Sequence, residues 1–338
     1  MIVESTAHKI NGSFSKLLRA GTVAACAAAI GLAAIPAAAT TVAPRFAEGV
    51  YAGAATNGVI GSLSFDESMR TASTAILDFP PTSSWSQIEG QSWLLAPHSG
   101  QAARLEYSLP VVPSIAGATL SQCASGAYNP HWTNLARNLL RFNLGGSIIR
   151  PGWEMNGNWY PWSAAKNPAD FIACFRNVVN TMRQVPGQRF LFDWNPSNTR
   201  LSLAAELAYP GDRYVDIVGD DVYDQSWTWY SPTMEPSALN QSKAISYEIA
   251  GDHGLRFWAT FARSHGKALA VTEWGLSHLS DGHGGEDNPQ FIQAMYQFMS
   301  DPLNAVMYEH YFNVGGHVIT GVTRFPRSAA TFRTLFAR

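Results

Sequence analysis

The chain has 338 residues, of which 46% are hydrophobic and only 14% charged, with a formal net charge of −2. That balance excludes a disordered chain, which could not bury enough apolar surface to offset the entropy of ordering. It also removes any electrostatic case for nucleic acid or an anionic membrane as partner.

The N-terminus reads as an export signal. Lys9, Lys16 and Arg19 precede an uncharged run of small and apolar residues from Ala20 to Ile35, and Ala37-Ala38-Ala39 offers an A-x-A cleavage site before Thr40. An uncleaved anchor shares this pattern, but the run is short and Ala-rich for a membrane span. The expectation is a signal over residues 1–39, one domain over residues 40–338, a secreted or periplasmic product, and no membrane contact after cleavage. Cys26 falls in the signal. Cys123 and Cys174 remain, and in an oxidising compartment a disulfide and a pair of buried thiols are both open readings. No Cys-x-x-Cys occurs, which argues against structural zinc.

Beyond the signal, apolar runs of strand character alternate with amphipathic stretches. The strand candidates are Gly49–Ala54, Thr74–Phe79, Leu105–Ile115, Ser147–Gly152, Arg189–Trp194, Val215–Gly219, Ala268–Thr272 and Ala305–Phe312. Helical stretches between them include Asn134–Arg141, Pro168–Arg183, Leu255–His265 and Pro289–Met299. Asn167-Pro168 and Asn288-Pro289 each place a capping side chain before a proline at the first helical position. Eight such units predict a single-domain α/β fold, the (β/α)₈ TIM barrel. The competing open doubly wound sheet lacks a Gly-x-Gly-x-x-Gly after its first strand.

Two candidate strands end in the same grammar. Ile148-Ile149-Arg150-Pro151-Gly152-Trp153-Glu154 and Ala268-Leu269-Ala270-Val271-Thr272-Glu273-Trp274 each carry an apolar run to a Glu beside a Trp. They are the fourth and seventh candidates, so both Glu residues belong to the C-terminal end of the barrel, where sites sit on this architecture. A carboxylate among aromatics is costly unless it is used, because desolvation penalises its charge. Two carboxyls about 5–5.5 Å apart are what retaining glycoside hydrolysis needs. Arg150 has two readings: a hydrogen-bond donor to Glu273, or a structural pair inside the barrel. No Gly-x-Ser-x-Gly elbow and no Walker loop supports another chemistry.

The segment Arg150-Pro151-Gly152-Trp153-Glu154-Met155-Asn156-Gly157-Asn158-Trp159-Tyr160-Pro161-Trp162 resembles the acid/base segment of glycoside hydrolase family 26, the β-mannanase family of the large retaining barrel clan, which reads Arg-Pro-x-His-Glu-x-Asn-Gly-x-Trp-x-Trp-Trp. Thr272-Glu273-Trp274-Gly275 is similar to its nucleophile segment. Val215–Tyr223 resembles its sixth strand, and Asp193-Trp194-Asn195-Pro196-Ser197 its fifth. The resemblance implies Glu154 as acid/base, Glu273 as nucleophile and Tyr223 as a donor to Glu273. It implies Trp159 and Trp162 on the sugar-binding floor. Two positions depart from the pattern. Trp153 stands where the family has His, and an indole donates one hydrogen bond and accepts none. Tyr311-Phe312-Asn313 stands on the eighth strand where many clan members carry Trp.

The residues expected on the substrate are Arg150, Trp153, Asn156, Trp159, Trp162, Trp194, Asp221, Tyr223, Trp274 and Tyr311. Asp220 and Asp221 read equally as sugar ligands or as an Asx turn. Trp227, Trp229 and Tyr230 are either stacking faces or loop packing. His278, His283, Glu286 and Asp287 match no metal-ligand spacing, and a flexible glycine-rich rim loop around Gly282, Gly284 and Gly285 is the reading preferred. The expected product is a monomer without metal or cofactor that cleaves an internal β-linked polysaccharide or oligosaccharide with retention. Endo-β-1,4-mannanase is the first specificity. The alternatives are β-1,3-xylan, mixed-linkage glucan or a bacterial exopolysaccharide, and a non-catalytic glycan-binding barrel.

Overall fold

A computed structural model describes residues 46–321 and 324–338. The expected signal, with Cys26, lies outside the described residues. Eight parallel strands close into a barrel in sequence order: β1 Gly49–Tyr51, β2 Ala75–Asp78, β3 Arg104–Leu109, β4 Ile148–Pro151, β5 Leu191–Trp194, β6 Ile217–Tyr223, β7 Ala268–Gly275 and β8 Val306–Phe312. β8 returns to β1 through Val50↔Tyr311 and Tyr51↔Phe312. Each expected strand is present, with shifted ends. β3 stops at Leu109 because Pro110 has no N–H for the ladder. β6 and β7 run on past the expected Gly219 and Thr272.

Helices cover the outside, and their sequences say why they start and stop. The Asn167 side chain accepts from the Asp170 amide at 3.2 Å, Pro168 opens the helix Pro168–Arg183, and Arg183 lies in its last turn, where the helix dipole favours a cation. Phe171, Cys174, Phe175, Val178 and Met182 make its buried stripe. Asn288 caps Pro289–Ser300 in the same way. The stretch expected from Asn134 begins earlier, as the helix Asn129–Arg141 with Pro130 in its first turn. Cys174 is bonded to Cys123 on the short helix Leu120–Ala124, so the disulfide reading holds in the structure. Among the described residues no helix is long and apolar enough to cross a membrane.

The main core lies between strands and helices. A smaller cluster of Ile148, Ile217, Ala270 and Tyr308 plugs the barrel interior at its N-terminal end. Above that plug the interior turns polar. The Tyr308 hydroxyl lies 2.7 Å from Asp193 Oδ2 and 3.1 Å from Glu106 Oε1, and Thr272 Oγ1 donates to Asp193 at 2.9 Å. Burial raises both carboxyls, and the charge of Asp193 raises Glu106 further, whereas the hydrogen bond from Glu106 lowers Asp193. This polar layer is the floor on which the C-terminal end is built.

Candidate active site

Glu273 reaches the barrel interior through an irregularity. Ala270 and Thr272 face inward, so strict alternation would turn Glu273 outward beside Val271. Between β6 and β7 the register jumps from Asp220↔Val271 to Asp221↔Glu273, and against β8 it jumps from Val271↔Glu309 to Trp274↔Tyr311. The extra residue is a β-bulge, which re-aims a side chain. Glu273 then sits inside the barrel, and the next residue, Trp274, sits outside.

There Glu273 meets two donors. Arg150 Nη2 donates to Oε1 and the Tyr223 hydroxyl donates to Oε2 at 2.7 Å. Arg150 is fully buried and its other N–H groups are occupied. Nη1 donates to Asn195 Oδ1 at 2.9 Å and to Asp221 at 3.2 Å, and Nε and Nη2 reach Ser108 Oγ at 3.1 and 2.9 Å. Burial alone would lower the Arg150 pKa, but the charges of Glu273, Asp221 and Glu106 outweigh it and hold the guanidinium protonated. Both readings of Arg150 are thus met at once: it bonds Glu273 and it is the cation of the interior network.

Glu154 arrives differently. β4 ends at Pro151, and Glu154 follows in a turn with φ 52°, a left-handed conformation that a non-glycine residue seldom holds. Its amide donates to the Asn195 carbonyl at 2.8 Å. Asn156 pins the same loop to the β5 end, giving Nδ2 to the Ser197 carbonyl at 2.8 Å and accepting the Ser197 amide at 2.9 Å. The Trp159 ring folds back over Gly157, where any Cβ would run into it, and Nε1 donates to Glu154 Oε2 at 2.8 Å. Burial, with the charge of Glu273 second, pushes Glu154 up to about 7. Two carboxyls with unlike surroundings therefore share one space. One gives up a proton near neutral pH, and the other accepts a guanidinium and a phenol.

Aromatic rings wall that space. Phe79 stands 5.4 Å from Trp153 and 4.9 Å from Tyr51, and Phe312 stacks on Tyr51 at 4.8 Å. The Arg150 guanidinium lies 5.3 Å from the Phe79 ring and 5.5 Å from the Trp153 ring. Tyr160 stacks on Trp162 and Trp153 packs at an angle to both, with Trp162 Nε1 donating to the Trp153 carbonyl at 2.8 Å.

Not every expected substrate contact lies here. Trp194 is sealed on the outer face of β5 against Trp258, Phe261 and Tyr209. Trp274 is sealed against Phe332 and Phe336, with Nε1 on Glu309. Tyr311 packs on Trp274 and Phe65 and donates to the His317 carbonyl at 3.0 Å. These three belong to the core. Trp162 is buried as well, so it backs the floor rather than forming its surface, whereas Trp159 is 51% exposed. Asn156 and Asp221 are buried with protein partners and position the loop and Arg150. On β8 the ring facing the cleft is Phe312, two residues beyond the inward His310. Alternation was the signal that names Phe312 over Tyr311.

Outside the cleft, Asp220 is buried in β6 rather than in an Asx turn. Tyr230 donates to Asp224, whereas Trp227 is exposed and stacks on His283. The glycine-rich rim is packed rather than loose: Gly282 lies against Pro232, Gly284 against the Ser277 carbonyl and Gly285 against Asp224. His278 pairs with Glu286 at 2.8 Å, and Asp287 accepts the Arg327 and Ser328 amides at the start of the last helix. Among the described residues no group of three or more His, Cys, Asp or Glu is placed to hold a metal ion.

A sequence model described as Glycosyl hydrolase family 26 matches residues 140–247. Two curated proteins are similar in part. The Mannan endo-1,4-beta-mannosidase of Bifidobacterium adolescentis is 24% identical over 50% of this chain and 16% of its own length. Endoglucanase H of Acetivibrio thermocellus is 31% identical over 55% of this chain and 19% of its own. The chain thus spans less than a fifth of either relative in the matched region. Among solved structures, a modular endo-beta-1,4-mannanase from Cellulomonas fimi aligns with a TM-score of 0.59 at 20% identity, over 81% of this chain and 65% of that one. GH26C from a Muricauda species aligns with a TM-score of 0.61 at 15% identity, over 87% and 86%. At such identities the structural likeness is one of fold.

Proposed function

We propose that the chain is a member of glycosyl hydrolase family 26, and that it is an exported, monomeric, retaining glycoside hydrolase that cuts internal β-linkages of a polysaccharide. The observation that carries the reading is the pair of opposed environments at one cleft. Glu273 is addressed by Arg150 and Tyr223, while Glu154 is raised to about 7. An acid whose proton is held to near neutral pH by burial, beside a carboxyl addressed by two hydrogen-bond donors, suits a division of roles between proton donor and nucleophile.

In this mechanism Glu154 gives its proton to the leaving glycosidic oxygen as the Glu273 carboxylate attacks the anomeric carbon. The C–O bond to the leaving sugar breaks, a glycosyl ester forms on Glu273, and Glu154 is left ionised. Glu154 then takes a proton from water, which attacks the same carbon and frees Glu273. Arg150 and Tyr223 hold the Glu273 carboxylate in place, one at each oxygen, and Arg150 is itself held by Asp221, Asn195 and Ser108. Trp159 steadies Glu154 and offers an exposed face to a sugar. No cofactor enters.

For the substrate, β-1,4-mannan comes first, in keeping with the printed name of the mannosidase relative. A mixed-linkage glucan or β-1,3-xylan is the second reading. It is favoured by Trp153, which cannot accept a hydrogen bond from a sugar hydroxyl, and by the similarity to an endoglucanase. Release of reducing ends from mannan, mixed-linkage glucan and β-1,3-xylan separates them. Proton NMR of the first-formed anomer tests retention, and an inverted anomer refutes the mechanism. Binding without any product after long incubation refutes the enzyme.

A further inference from the structure

His317 closes the short 3-10 turn Gly315–His317 just past β8. The imidazole lies tilted against Tyr223 at 4.6 Å and edge-on to Phe312 at 5.8 Å. The Tyr223 hydroxyl is the one that donates to Glu273, so the ring of His317 borders the space in front of Glu273. The charge of Glu273 is felt at the imidazole, which places the two in one neighbourhood.

Its two nitrogens are in different situations. Nδ1 lies 2.7 Å from the Leu276 carbonyl oxygen, which only accepts, so Nδ1 carries the proton. Burial lowers the pKa of the ring, which favours the neutral form. In neutral imidazole the other nitrogen is an acceptor. No described residue bonds Nε2, and it is not among the polar atoms sealed from solvent without a partner. It is an unpartnered lone pair on a ring that adjoins two residues of the cleft, Tyr223 and Phe312.

A sugar ring brings several hydroxyl donors, and the walls offer few places to receive them. Phe79 and Phe312 have no polar atom, and the Trp153 indole accepts nothing. The oxygens of Asp221 are occupied by Arg150 and Asn195. Trp153 therefore withholds an imidazole on the β4 side of the cleft, while His317 supplies one on the β8 side. We propose that His317 Nε2 accepts a hydrogen bond from a hydroxyl of the sugar ring held over Glu273, and so selects β-glycans whose reacting unit carries a free hydroxyl on the β8 side. A unit acylated or methylated at that oxygen is rejected, because it presents no donor. This specificity contact rests on the glycosidase reading above.

The test separates the contact from a merely structural role. In His317→Asn the side-chain amide keeps a donor for the Leu276 carbonyl and loses the acceptor at Nε2; His317→Phe loses both. The expected result for His317→Asn is an unchanged melting temperature with kcat/KM lowered about tenfold, the worth of one hydrogen bond left unmade. On monodeoxy aryl glycosides the wild type loses the same factor at one hydroxyl only, and His317→Asn loses nothing further there. Wild-type kcat/KM in His317→Asn with a defect in His317→Phe alone would reduce the residue to a loop tether and overturn the proposal. If the wild type hydrolyses no polysaccharide, the glycosidase reading falls and calorimetry with mannohexaose, cellohexaose and xylohexaose decides the contact. A hexaose bound tenfold more weakly by His317→Asn sustains it. Equal binding, or none by the wild type, overturns it.

Discussion

The loop after β4 and the bulge in β7 bring carboxyls to the same place by opposite means. Glu273 is built into a strand, inside the barrel, and fixed by Arg150 from β4 and Tyr223 from the adjacent β6. Glu154 hangs on a left-handed turn beyond its strand, half-buried, with Trp159 as its hydrogen-bond donor. A group that must attack one atom gains from a rigid seat. A group that must hold and release a proton gains from a setting that brings its pKa near the working pH. On the proposed roles, the barrel would supply the first from its interior and the second from its loops.

Removing each side should separate them. Glu273→Ala is expected to lower turnover on the order of 10⁵-fold on every substrate, as losses of a covalent participant do. Full activity in that variant would end the assignment. Glu154→Ala should cost about 10²–10⁴-fold on polysaccharide. The loss should be far smaller on an aryl glycoside whose leaving group needs no proton, and an equal loss on both substrates would contradict an acid role.

Arg150→Met probes the rigid side through the fold. It leaves Glu273 and Asp221 buried without their cation, which should destabilise the protein by about 3–5 kcal/mol in denaturant titrations. An unchanged midpoint would mean that the network does not depend on Arg150. The smallest effect is expected on the mobile proton. Because Glu154 is raised to about 7, its acid form is lost as pH rises through that value, and kcat/KM should fall there. The Trp159 hydrogen bond pulls that pKa down. Trp159→Phe should therefore move the alkaline limb upward, by at most about one pH unit. A downward shift would contradict the geometry.

What could be read beforehand follows the same division. The eight strands are legible because apolar runs, prolines and capping asparagines are local signals. Glu154 and Glu273 are legible because each sits beside Trp at a strand end. Trp194, Trp274 and Tyr311 lie near the cleft residues in sequence but not in space. Neighbours on a strand face opposite sides, so Asp193 inside puts Trp194 outside, and His310 inside assigns the cleft to Phe312. The β7 bulge had no sequence signature, since it depends on how three strands register with one another. His317 was equally out of reach, because its role depends on a carbonyl forty-one residues away in the chain.

The Cys123–Cys174 bridge divides the cleft unequally. Its loop, which joins residues 51 apart in sequence, encloses the whole passage through β4 to Trp162, and with it Glu154, but nothing of β7. By chain entropy a loop of that size is worth about 4 kcal/mol. Reductant should therefore lower the melting temperature, and no change on adding it would show the bridge to be idle. A working bridge would tie the segment that carries Glu154 to the redox state of its surroundings, while the strand that carries Glu273 would answer only to the barrel.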